Sequence, residues 1–410
     1  MVDWTILLEW AEFAMRWLHV ITAIAWIGSS FYFIALDLSL RPEPGAPEGV
    51  HGATWQVHGG GFYHMRKYRV APPGMPDELT WFKWEAYSTW LTGFAMLVLV
   101  YYLGAEFTLI DPARADLPVW VAVTISAGSL GFGWVVYDLL CKSRFGARST
   151  ALMLALYALL VVMAWSYAQV FTGRAALLHL GAFTATIMSA NVFLIIIPNQ
   201  KVVVADLIAG RSPDPRYGQI ARQRSLHNNY LTLPVVFLML SNHYPLAFAS
   251  AWNWAIASLV FLMGVTIRHW FNCRHAGTGS PWWTWIATVA VFALIVWLSI
   301  IGTASAQPVT ASDTSPAVRR FAEAAGFDAV TEIVVARCSM CHAAEPIYPG
   351  IARAPKAVVL EAPAQIAREA RRIYVQAGLT HAMPPGNLTF VEPEERARIV
   401  RWYRAARAGS

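Results

Sequence analysis

The chain is short of charge. Asp, Glu, Lys and Arg make up 14% of its 410 residues, where a soluble domain carries about a quarter. Hydrophobic residues account for 57%, and there are 19 tryptophans. Such a composition excludes an ordinary soluble protein and points to a chain solvated by a lipid bilayer. Acidic residues are the scarcer sign, leaving a net charge of +6. The Lys and Arg residues fall in short loops between apolar stretches rather than in one patch, a pattern of topology and not of nucleic-acid binding. Cysteine is rare as well: of four, Cys141 and Cys273 stand alone, so no disulfide framework is indicated. No internal repeat and no matched pair of interrupted helices is evident, which argues against a transporter. A cleavable signal peptide is not expected either, because the first apolar run is too long and no small-residue cleavage site follows it.

What is present is a series of apolar runs. A bilayer-crossing helix needs about 20 residues, and runs of that order lie at 10–34, 82–103, 118–140, 150–171, 174–197, 226–243, 252–270 and 282–302. These predict eight transmembrane helices filling residues 1–302. The loops after the first, third, fifth and seventh runs, together with the run ends beside them, hold 15 basic residues, whereas the alternate loops and run ends hold only Arg114 and Arg174. By the positive-inside rule both termini lie outside the cytoplasm. In a bacterium this is a multi-pass inner-membrane protein with its C-terminal segment in the periplasm.

That segment carries Cys338-Ser339-Met340-Cys341-His342. Two thiols at this spacing can add across the vinyl groups of one haem, while the adjacent imidazole reaches the iron, so the run predicts covalent haem c on Cys338 and Cys341 with His342 as an axial ligand. Met383 follows His342 by 41 residues, inside His381-Ala382-Met383-Pro384-Pro385-Gly386-Asn387, and is the candidate sixth ligand. A zinc or redox C-x-x-C pair would lack a second ligand pair and would leave His342 unexplained. Residues 303–316, rich in Ala, Ser, Thr and Pro, read as a flexible linker. Residues 317–410 read as a small helical cytochrome c domain. Its first helix is expected at Val318–Ala325 or Phe327–Ala336. Its last, Pro393–Ala408, opens on Glu394 and Glu395 and continues with arginines, an order that suits the helix dipole.

Ionisable residues inside the bilayer are costly and usually face a cavity or a cofactor. Arg16 and His19 share a helix face. His19 and His179 fall in the outer half, His243 at the outer end of the sixth span, and His227 and His269 toward the cytoplasm. Two such histidines at matching depth could clamp a haem b, with Arg16 on a propionate; the alternative is that each imidazole satisfies a neighbouring polar group. On the cytoplasmic side, the loop from His51 to Tyr68 groups His58, three glycines, Phe62, His64, Arg66 and Lys67. It could hold a planar anion or simply be a basic interfacial loop. The run Arg222-Gln223-Arg224-Ser225-Leu226-His227-Asn228-Asn229-Tyr230 could read the edges of a heterocycle.

With Arg16-Trp17-Leu18-His19 leading to Trp26-Ile27-Gly28, His58-Gly59-Gly60-Gly61-Phe62-Tyr63, and His227-Asn228-Asn229-Tyr230 leading to Ser241-Asn242-His243-Tyr244-Pro245, followed by a single C-x-x-C-H unit, the chain resembles the membrane-bound, cytochrome c-fused urate hydroxylases (urate oxidases) of bacterial purine catabolism. The resemblance covers essentially the whole chain. The stretch around His19 also looks like that of membrane protoporphyrinogen oxidases that carry a b haem. The urate hydroxylase resemblance implies an all-α protein that oxidises urate with water to 5-hydroxyisourate. Electrons would pass through haem c to a soluble cytochrome c or terminal oxidase, without hydrogen peroxide. Candidate bases are His58, His64, Lys67 and Glu85; Trp55 or Phe62 would stack on urate, Arg66 would neutralise it, and Arg222 and Gln223 would read its edges. A cytoplasmic pocket and an outer haem would be separated by a hydrocarbon layer about 30 Å thick. Either the substrate enters a cavity near His19, His179 and His243, or a second cofactor relays electrons. The rival readings are a non-enzymatic membrane electron-transfer cytochrome and a quinol-oxidising cytochrome.

Overall fold

The computed structural model describes residues 4–68, 76, 78–112, 114–304, 315–351 and 353–408. It is mostly helical. The chain opens with α1 (Trp4–Ser39) and a hairpin of β1 (Val50–His58) and β2 (Gly61–Tyr68), followed by α2 (Trp84–Leu97), which continues as a π-helical turn over Val98–Tyr102. Next come the short α3 (Ala105–Thr108), then α4 (Val119–Lys142), α5 (Ser149–Val170) and α6 (Gly173–Ala190). A second π-helical segment, Asn191–Ile196, joins α6 to α7 (Ile197–Ile208). The bundle closes with α8 (Pro215–Leu240), the short α9 (Pro245–Phe248), α10 (Asn253–Ala276) and α11 (Trp283–Ala304). The C-terminal unit contains α12 (Pro316–Ala322), α13 (Phe327–Arg337), α14 (Ser339–His342), α15 (Pro363–Arg368), α16 (Ala370–Ile373) and α17 (Pro393–Ala408).

Among the described residues, six helices are long and apolar enough to cross a membrane: α1, α4, α5, the joined α6–α7 helix, α10 and α11. They coincide with six of the eight expected runs. The expected runs 82–103 and 226–243 are helical too, but the first is α2 with its π-helical extension and the second is the latter part of α8, whose face is loaded with buried Asn, His and Arg. The outside of the bundle is apolar. Trp17, Ile24, Leu154, Val162, Ile286 and Val289 are all exposed, a belt consistent with helices that cross a membrane. Trp84, Trp120, Trp252 and Trp283 sit at helix ends, where indoles anchor in headgroup regions.

One departure from an all-α fold is the hairpin. Residues 51–68, read as a loop, pair as β1 and β2 in register from Gly52↔Lys67 to His58↔Gly61. Gly59 and Gly60 form its two-residue turn at φ 60° and 79°, left-handed values that glycine adopts without strain. The turn also fixes which side chains meet, so Trp55 lies opposite His64 and the rings stack at 4.2 Å.

The expected linker, 303–316, falls mostly outside the described residues, between Ala304 and Ser315. Beyond it, Phe321, Phe327, Trp402 and Tyr403 build the core of the C-terminal unit, with Tyr374 stacked on Tyr403 at 4.1 Å. Both alternatives for its first helix are present, as α12 and α13, and α17 spans Pro393–Ala408 as the charge order predicts.

The two ends of the bundle are chemically distinct. At one end Arg41 donates to His275 O and Gln223 to Gly146 O, tying together the basic loops. At the other, Ile110 bridges Phe171 and Arg114 donates to Ala168 O. The C-terminal unit packs on this second end. Arg371 lies 2.8 Å from both Glu9 and Glu12 of α1, Arg368 donates to Ile110 O (3.0 Å), and Arg174 donates to Lys356 O (2.9 Å).

Candidate functional site

A cavity of about 1110 Å³ runs from inside the helix bundle into the C-terminal unit. His19, Trp26, Trp90, Tyr102, Asn242 and His243 line it from the bundle; Cys338, His342 and Met383 line it from the C-terminal unit. The volume slightly exceeds that of a pocket for one drug-sized ligand, about 300–1000 Å³.

At the end formed by the C-terminal unit, Cys338, His342 and Met383 lie on the cavity wall. Cys338 caps α13, and the single turn of α14 carries Cys341 and His342 on the same strip of chain. His342 Nδ1 lies 2.9 Å from Val358 O. A carbonyl can only accept, so Nδ1 carries the proton and Nε2 keeps its lone pair, the arrangement found behind metal-bound imidazoles. Burial pushes the Cys338 thiol up to about 11, the opposite of the depressed thiol of a redox dithiol. Met383 is held by its backbone: buried Arg396 donates to Met383 O (3.0 Å), Ala377 O and Asn387 Oδ1. One thiol, an imidazole of fixed tautomer and a thioether on the cavity, with the second thiol, Cys341, on the adjoining turn, are the residue types that would hold a covalently attached haem.

Deeper in the cavity, His19 Nδ1 meets Thr89 O at 3.0 Å and Thr92 Oγ1 at 3.1 Å. By the same logic Nε2 is left as the acceptor. The ring lies flat against α2 because Gly93 has no side chain; a Cβ there would come within 2.8 Å of His19 Cε1. Among the described residues four cavity-lining polar atoms have no hydrogen-bond partner, Asn242 Oδ1 and the Nε of Arg174, Arg320 and Arg371. Buried groups of this kind are normally paired, so an acceptor and cationic donors are available to whatever fills the space.

The other expected histidines are differently placed. His179 is fully buried, with Nδ1 donating to Ala175 O and Nε2 accepting from Ser126 Oγ, each at 2.7 Å. Both nitrogens are therefore taken, and the ring serves a Tyr102–Ser126–His179 chain rather than an iron. His269 is likewise engaged on both sides, by Tyr230 and Cys273. His227 Nδ1 pairs with the Tyr137 hydroxyl at 2.7 Å. It belongs to a buried network in which Arg224 donates to Asp138 (2.6 Å) and Asn191 (3.2 Å), and Asn191 to Asn228 (3.1 Å).

The inner-loop candidates do not meet the cavity. They gather on the hairpin at the opposite end, where their charges are already spent: Arg66 forks onto Glu43 at 2.8 and 2.9 Å, His64 Nε2 lies 3.3 Å from the same carboxylate, and Lys67 pairs with Asp37 at 2.7 Å. Arg66 holds the Glu43 carboxyl below its ordinary range, and Glu43 in turn raises Arg66. Trp55, His58 and Phe62 are exposed. Arg222 and Gln223 lie within α8, the first exposed and the second hydrogen-bonded to Gly146 O, and Glu85 is in the first turn of α2. Arg174 and Asn242 were missed as site residues. The signal for Arg174 was its place as one of two basic residues on the side where basic residues are otherwise scarce.

No curated protein and no solved structure matches the chain. Residues 5–299, which contain the whole helix bundle up to the last turn of α11, match a described family, and the chain accordingly belongs to the urate oxidase N-terminal family.

Proposed function

We infer that the protein is a membrane-bound urate hydroxylase, with α2 and α8 completing an eight-helix bundle and the C-terminal unit acting as a periplasmic cytochrome c. The observation that carries this reading is the single cavity shared by the bundle of a urate oxidase family member and by Cys338, His342 and Met383. It removes the 30 Å problem, because substrate and haem c then occupy the same outer half of the molecule.

The reaction balances as urate plus water giving 5-hydroxyisourate, two protons and two electrons. Urate is a planar anion with alternating N–H and carbonyl edges. Arg174 supplies charge and a free Nε–H for a carbonyl, and Asn242 Oδ1 accepts an N–H. His243, lining the cavity yet exposed, can take a proton from urate or the attacking water and hand it to solvent. Tyr102 supplies a ring face. Tyr102 is oriented by Ser126 at 2.8 Å, itself anchored to His179. Haem held by Cys338, Cys341, His342 and Met383 supplies a one-electron acceptor of raised potential. Arg371, Arg368 and Arg174 keep the C-terminal unit over the cavity while the two electrons leave in turn, to a soluble cytochrome c or a terminal oxidase.

The test is to mix oxidised, purified protein with urate under strict anaerobiosis and follow the haem c band. Reduction with formation of 5-hydroxyisourate is expected. No reduction by urate, with prompt reduction by a quinol, would replace this function by that of a quinol-oxidising cytochrome.

A further inference from the structure

The cavity has an inner arm that neither urate nor haem c accounts for. It reaches past His19 to Trp26 between Thr89, Trp90, Ala185 and Thr186, and on the other side of His19, toward Arg16, its walls are apolar, among them Leu97, Val100, Leu178 and Ala182. A urate bound in this arm would leave most of its polar rim unpaired, at a cost of about 1–3 kcal/mol for each group. A porphyrin face, by contrast, is suited to such walls.

At the side of this arm stands His19, whose geometry repeats that of His342. In both, Nδ1 donates to a backbone carbonyl and Nε2 keeps the lone pair. In both, the ring lines the cavity. The His19 ring is further clamped by Thr92 and by the bare Gly93 backbone, so its orientation is set before any ligand arrives. Arg16 lies one turn toward the outer end, also on the cavity, and forms no ion pair among the described residues. An imidazole of fixed tautomer, an apolar slot and a free guanidinium at its mouth are what a haem with anionic propionates requires.

We propose that this arm holds a second haem, bound without covalent attachment, with His19 Nε2 as iron ligand and Arg16 on a propionate. Its iron takes one electron on going from ferric to ferrous and gives it up to haem c, so the protein stores both electrons of a two-electron donor. The inference rests on the cavity and on His19, not on the identity of the substrate.

The experiment is a haem inventory of the full-length protein matured with haem c. Acid–acetone extraction removes non-covalent haem and leaves thioether-bound haem behind, and a pyridine haemochrome spectrum counts each fraction. About one extractable haem per chain is expected beside one covalent haem. In His19→Ala the extractable haem should fall at least tenfold while the covalent haem, which reports correct folding and export, is unchanged. Wild-type protein with no extractable haem, or His19→Ala with a full complement, would overturn the proposal. Should His19→Ala fail to accumulate, the wild-type count decides alone. Neither outcome depends on urate, so a missing second haem would leave the urate reaction standing with haem c only.

Discussion

Arg371 is the residue on which the docking of the C-terminal unit can be tested most directly. Its guanidinium lies 2.8 Å from both Glu9 and Glu12, with side-chain exposures of 35%, 40% and 15%. Exposed pairs of this kind contribute about 0.2–1 kcal/mol, and the better-shielded Glu12 belongs near the top of that range. Removing both contacts in Arg371→Ala should therefore weaken docking by about 1–2 kcal/mol, a factor of about 5–30 in the docked-to-free ratio. The assay is single-turnover reduction of haem c by urate over a salt series. Wild-type protein should slow as salt screens the pair; Arg371→Ala should begin slow and respond little. Glu12→Gln should give part of the same defect and add little to Arg371→Ala, since both remove one interaction. The reasoning fails if Arg371→Ala matches wild type at every salt concentration, or if the two defects add to within about 0.3 kcal/mol.

Three further outcomes follow from the site. Arg174→Ala or Asn242→Ala should raise KM for urate about tenfold or more, from loss of a hydrogen bond worth about 1.5–3 kcal/mol to the charged substrate, whereas Arg66→Ala and His64→Ala should change it less than about twofold; the reverse ranking in steady-state kinetics would move the pocket to the hairpin. Met383→Ala should retain covalent haem but lower its midpoint potential in a redox titration, and an unchanged potential would remove Met383 as axial ligand. Asp138→Ala leaves Arg224 buried without its partner and should destabilise the bundle by about 3–5 kcal/mol, while Asp138→Leu with Arg224→Met should recover much of the loss; thermal unfolding in detergent would show whether the double variant is the more stable.

Much of the architecture was legible because it rests on length and apolarity, properties a chain displays without folding. Trp283–Ala304 and Pro393–Ala408 are examples, one from a continuous apolar run and the other from charge order. The hairpin was less visible, since three glycines and scattered histidines look like a loop until Gly59 and Gly60 are seen as a two-residue turn between runs such as Thr54-Trp55-Gln56-Val57. The histidines divide for a different reason. Depth along a helix could place His19, His179 and His269 in the bilayer, but which ring nitrogen is free depends on Thr89, Ser126 and Tyr230, partners on other helices that no local pattern announces. Asn242 and Arg174 became site residues only when α8 and α6 brought their ends beside the C-terminal unit.

The Arg224–Asp138 pair has a consequence for biogenesis. α8 is the polar helix of the bundle: Arg224, His227, Asn228 and Asn229 are all buried within it. A lone arginine at the middle of a helix costs about 2.5–3.5 kcal/mol to insert, and α8 lacks the apolarity to repay that by itself. Its partners, Asp138 on α4 and Asn191 after α6, are synthesised earlier. With α8 as a span of the proposed bundle, they would offer a polar groove already in place, and α8 is expected to insert by pairing with it rather than by partitioning into lipid. Damage to Asp138 would then be felt first as a failure of co-translational insertion, with protein turned over at the membrane before any question of catalysis arises.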